Sequence, residues 1–114
     1  MRNNKRRLSK EEVEKLVWGI TPKKEIDPMA YIQIRRVVFS LLAGNSSETF
    51  QRIAYNVPGF RISTVLTVLY WMVVSGEIRV YMDSKLDPLV QDILEVSFSL
   101  PPAMSNVYPE VLSS

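Results

Sequence analysis

Two residue types are missing from this 114-residue chain: cysteine and histidine. Without cysteine there is no disulfide framework and no thiolate metal site. Without histidine the chain lacks the side chain that most often serves as general base near neutral pH and as a neutral metal ligand. Glycine is scarce, and the four at 19, 44, 59 and 76 are scattered at expected helix ends, so no glycine-rich phosphate loop can be drawn. No serine has a candidate base beside it and no carboxylate pair falls in a cleft pattern. The expectation is a protein that is not an enzyme and has no cofactor, no metal and no small-molecule ligand. Long apolar runs are missing too. Val65–Val74 is interrupted by Thr67, and Ile32–Leu42 is broken by Arg35 and Arg36; both fall far short of the ~20 residues a membrane span needs. No apolar segment follows the basic residues 1–7, so no secretory signal is expected. These readings predict an intracellular, cytoplasmic, nucleoid-associated protein.

What is present is ordinary for a globular domain: 46% hydrophobic and 23% charged residues, in one domain large enough to bury a core. Net charge is only +2, but it is unevenly spread, at +5 over residues 1–24, +1 over 25–82 and −4 over 83–114. A basic front on a near-neutral body points to an anionic partner near the N-terminus.

Residues 1–7 have nothing to bury and read as a basic flexible arm, with Lys5, Arg6 and Arg7 able to track phosphates or enter a minor groove. Ser9 and Glu12 form a capping box that opens a helix to about Trp18, with Val13, Leu16 and Val17 on one face. Asp27-Pro28 starts a second helix, running to about Ala43, with Ile34, Val37, Val38, Leu41 and Leu42 inward. Arg35 and Arg36 fall outside that face, as salt-bridge partners or phosphate contacts. A third, short helix carries Phe50, Ile53, Ala54 and Val57 at i, i+3, i+4, i+7, capped by Ser46 or Ser47 and stopped by Pro58-Gly59. A fourth follows with the stripe Ile62, Val65, Leu66, Leu69, Met72 and Val73, closed by Gly76. Strict alternation then predicts strands over 77–82 and 94–100, joined by a long loop in which Asp87-Pro88 starts a helical turn, and Pro101-Pro102 ends the second strand. Residues 103–114 read as a flexible tail.

Helix, tight turn, helix, then a glycine leading into a strand resembles the winged helix-turn-helix superfamily. The resemblance is carried by Ile53-Ala54, Gly59, the Ile62/Val65/Leu69/Met72 stripe and Gly76-Glu77-Ile78. It implies a mainly α fold with a small β-hairpin (α+β), a three-helix core plus an extra N-terminal helix, over residues 8–102. It also implies that the fourth helix is a recognition helix binding double-stranded DNA sequence-specifically, as in a small transcriptional regulator. Ser63, Thr64 and Thr67 would meet base edges, although Ser63 and Thr64 can equally cap the helix start. Arg61 would pair with guanine or hold a phosphate. Arg52, Arg35 and Arg36, with Arg79 and Tyr81 on the wing, would contact the backbone, and six or so such contacts would lower affinity by roughly three decades between low and moderate salt. Asp83, Asp87 and Asp92 make the wing tip a poor DNA contact. Tyr70, Trp71 and Val74 lie largely off the core stripe, and are covered by Leu16, Val17 and Trp18 or form a homodimer contact matching a palindromic site. The alternative is a winged-helix protein–protein interaction module, a subunit of a larger complex, supported by the apolar helix surface and the acidic C-terminal third.

Overall fold

The computed structural model describes residues 5–22, 25–83, 93 and 96–102. They form a mixed α+β fold of four helices and a four-stranded antiparallel sheet. In chain order the elements are β1 (Lys5–Arg7), α1 (Lys10–Ile20), α2 (Pro28–Gly44), β2 (Glu48–Thr49), α3 (Phe50–Tyr55), α4 (Ile62–Val74), β3 (Arg79–Asp83) and β4 (Val96–Ser99). The sheet order is β1-β3-β4-β2.

Local chemistry sets the helix ends. Ser9 Oγ accepts from Glu12 N at 3.2 Å and Glu12 Oε1 accepts from Ser9 N at 2.8 Å, the reciprocal pairing of a capping box. Asp27 accepts from Met29 N, with Pro28 in the first helical position. Helix α3 is capped by Thr49, whose Oγ1 accepts from Arg52 N at 3.2 Å, and not by Ser46 or Ser47. The two residues before α3 are taken into the sheet, where Glu48 faces Phe98 and Thr49 faces Ser97. Gly76 follows α4 with φ +83°, a left-handed conformation that a side chain disfavours.

Helix α4 is the centre of the molecule. It packs against α1 and α2, and Val65, Leu66, Val68, Leu69, Met72 and Val73 are all buried. The inner sheet face adds Val80, Met82, Val96 and Phe98 to the same core. Burying each such side chain contributes about 1.5–3 kcal/mol.

Two expectations are corrected here. Lys5–Arg7 are not a free arm: they pair with β3 in the register Lys5↔Asp83, Arg6↔Met82, Arg7↔Tyr81. Leu8, buried behind them, donates its amide to Val80 O. Ile62, assigned to the buried stripe, is 52% exposed, because it sits at the open first turn of α4. The expected helical turn from Asp87-Pro88, Asp92 of the wing tip, and the tail from 103 lie outside the described residues. Among the described residues no helix is long and apolar enough to cross a membrane.

Candidate nucleic-acid interface

The N-terminal half of α4 is less open than a base-reading helix requires. Thr67 is 1% exposed, and its Oγ1 donates to Ser63 O at 2.8 Å, one turn back. It cannot meet a base edge. Burial follows from the helix itself, which is apolar at ten of thirteen positions and therefore packed on nearly all sides. Ser63 and Thr64 are half-buried. Thr64 and Thr67 line a cavity of about 130 Å³ with Glu25, Ile26 and Asp27 from the segment before α2. Two carboxylates therefore border the side of α4 that was expected to face DNA, where they would repel phosphate. No side chain caps α4, so Ser63 and Thr64 do not serve as its N-cap.

The cations divide into two groups. Arg35 is held by Glu77 through Nε–Oε1 at 2.9 Å and Nη2–Oε2 at 3.2 Å, with its guanidinium 4.7 Å from the centre of the Phe39 ring. This forked bond raises the pKa of Arg35 further and ties α2 to the turn after α4. Arg6 pairs with Glu12 at 2.9 Å and touches Met82 Sδ, fastening β1 to α1. The Glu12 carboxyl is held below glutamate's usual range, first by the Ser9 amide and then by Arg6. Arg6 and Arg35 thus each hold a carboxylate partner, with side chains 40% and 42% exposed. Arg7, Arg36, Arg52 and Arg61 are exposed, Lys5 is exposed with its Nζ on Ser97, and Arg79 is half-buried.

The exposed cations of the helix pair stand out because the stretch that carries them has no acid of its own. From Thr49 to Gly76 the chain has no acidic residue, and its two cations, Arg52 on α3 and Arg61 before α4, are both exposed. Gln51, Tyr55 and Asn56 are exposed on the same stretch, Tyr55 at 81%. An open groove lies over Thr49, Gln51, Arg52 and Tyr55, with Glu48 at one margin.

The aromatic cluster also divides. Tyr70 is buried, with its ring 4.8 Å from Trp18 and 5.2 Å from Trp71. It is covered within the subunit by α1 and is not a partner contact. Trp71 is 37% exposed, and Trp18 and Val74 are half-buried. Tyr55 is the exposed aromatic that sequence reasoning missed. Its signal was available, since Tyr55 lies outside the Phe50/Ile53/Ala54/Val57 stripe.

Among the described residues no group of three or more potential metal ligands occurs. Compared with known proteins, the chain has no significant match among protein-family models, curated proteins or solved structures.

Proposed function

We propose that the chain is a winged helix-turn-helix protein that binds double-stranded DNA, as a small transcriptional regulator, through the outer end of its helix pair and not along the length of α4. The observation that carries this reading is the acid-free stretch from Thr49 to Gly76, with Arg52 and Arg61 both open to solvent. The order of elements supports it: α2, α3 and α4 in sequence, a tight turn between the last two, then the antiparallel pair β3 and β4. The half-exposed Ser63 is the residue left to meet bases, Thr64 lying in the acid-bordered cavity; Arg36, Arg52 and Arg61 hold phosphates. With so little polar surface on α4, most of the affinity comes from the backbone and discrimination between sequences is modest.

The test is fluorescence anisotropy on a mixed-sequence duplex. Arg52→Ala and Arg61→Ala each weaken binding and lower the salt slope by about 0.9, whereas Thr67→Val, buried and away from DNA, leaves affinity unchanged. Equal affinity for the wild type and the double arginine variant would overturn the reading.

A second reading, a protein-binding module, draws on Met29 (59% exposed) and Ile32 (49%), which sit three residues apart on α2. Met29→Glu/Ile32→Glu would then abolish complex formation without touching duplex affinity. A homodimer rests on Trp71 and Val74, Tyr70 being occupied by Trp18; Trp71→Glu would give a monomer by light scattering.

A further inference from the structure

The sheet has one buried face and one open face, and the open face has its own chemistry. A single row crosses all four strands, with Arg7 opposite Tyr81, Tyr81 opposite Ser97 and Ser97 opposite Thr49. Arg79 and Ser99 form the next row. The face is fixed by two facts. Val80, Met82, Val96 and Phe98, the alternate residues, are buried in the core. Lys5 Nζ also crosses β3 to donate to Ser97 Oγ at 3.1 Å, which requires both side chains on the same side. Lys5, Tyr81, Ser97 and Ser99 line a groove of about 320 Å³, with Ser46 and Ser47 as its wall before β2.

We propose that this groove binds single-stranded nucleic acid, one nucleotide seated on Tyr81 with its flanking phosphates on the cations. Charge selects the ligand: Lys5, Arg7 and Arg79 lie on this face, and among the described residues no carboxylate lines the groove, Asp83 being the register partner of Lys5. The remaining lining groups are hydroxyls: Ser97 is buried beneath Lys5, and Ser46, Ser47 and Ser99 are left to donate to phosphate and sugar oxygens. Tyr81 supplies an aromatic surface, and stacking on it is open to any base whose faces are free. A duplex hides those faces within its stack, so the groove discriminates against it. This site is separate from the helix pair and does not rest on the duplex reading.

The test uses the full chain and a labelled fifteen-residue oligothymidylate, which has no secondary structure of its own. Arg7→Ala/Arg79→Ala is expected to weaken binding about tenfold or more and to reduce the salt slope by about 1.4, two single-strand contacts at about 0.7 each. Tyr81→Leu is expected to cost about tenfold. Arg52→Ala/Arg61→Ala should leave the affinity for oligothymidylate unchanged, which keeps the two sites distinguishable. Photo-crosslinking with 5-iodouracil in the oligonucleotide, read by peptide mapping, should label Tyr81 in the unmutated protein and so does not depend on any variant folding. Wild-type affinity in the Arg7/Arg79 variant, a crosslink on α3 or α4, or competition by a mononucleotide as effective as the strand itself would overturn the proposal.

Discussion

Thr21 Oγ1 and Trp18 Nε1 are, among the described residues, the two buried side-chain polar atoms without a hydrogen-bond partner. A hydroxyl taken from water and left unpaired costs about 1–3 kcal/mol, and Thr21 is a surplus hydroxyl at the end of α1. Thr21→Val keeps the shape and removes the unpaired group. It should raise the thermal midpoint by roughly 4 °C per kcal/mol recovered; a lower midpoint in differential scanning calorimetry would show that the hydroxyl is paired in solution. Glu12 gives a second test at this scale. Its carboxyl is more acidic in the folded chain than in the unfolded one, so its contribution is complete above the unfolded value of about 4.3 and disappears as pH falls through the lower, folded value. Glu12→Gln can still cap Ser9 but cannot pair charge with Arg6. Denaturant melts across pH should therefore show the wild type more stable at neutral pH, with the gap closing on the acid side. A gap that is constant with pH would contradict the assigned cause.

The strand β1 changes how the N-terminus should be probed. Deleting residues 1–7 removes the pairing to β3 and the Arg6–Glu12 tie as well as four cations. The truncated protein should lose about 2 kcal/mol of stability, so weaker DNA binding by it would not identify a phosphate-tracking arm; point variants such as Arg7→Ala are the cleaner instrument. Gly76 is the other position where an element depends on one residue. A Cβ there meets nothing within 4 Å, so Gly76→Ala tests backbone conformation alone. At φ +83° it should cost about 1–2 kcal/mol, and a neutral effect in denaturant unfolding would show that the turn relaxes. These elements also show what the sequence made legible. Capping box, Asp27-Pro28 start, Gly76 exit and the alternation of 78–82 are local signals, and each reappears in the structure close to where it was read. Strands β1 and β2 have three and two residues, too short for alternation to show, and only their pairing with β3 and β4 makes them strands. The cap of α3 was misplaced for the same reason: drawing Glu48 and Thr49 into the sheet moves the helix start beyond Ser47.

At the scale of the molecule, α4 was read as half exposed because its polar residues were taken for a face. Two α-helices and a sheet close around it, and its composition, polar only at Ser63, Thr64 and Thr67, already described a helix buried on nearly every side. Arg6 was read as part of a free arm, and Arg35 as a salt-bridge partner or a phosphate contact; the fold brings Glu12 to the first and Glu77 to the second. The strand register, invisible until β1 was placed, instead gathers Lys5, Arg7 and Arg79 onto one sheet face. Edge pairing of that sheet with another copy is disfavoured, because β1 presents Lys5 and Arg7 as exposed like charges. The number of cations left for a duplex decides the account. With Arg36, Arg52 and Arg61 as the phosphate contacts, the slope of log K against log salt is about −2.7, and affinity falls roughly 40-fold between about 50 and 200 mM salt. The direct measurement is that slope on a random-sequence duplex: a value near −2.7, reduced to about −0.9 in Arg52→Ala/Arg61→Ala, is predicted. A flat titration, or the same slope in the variant, would contradict it.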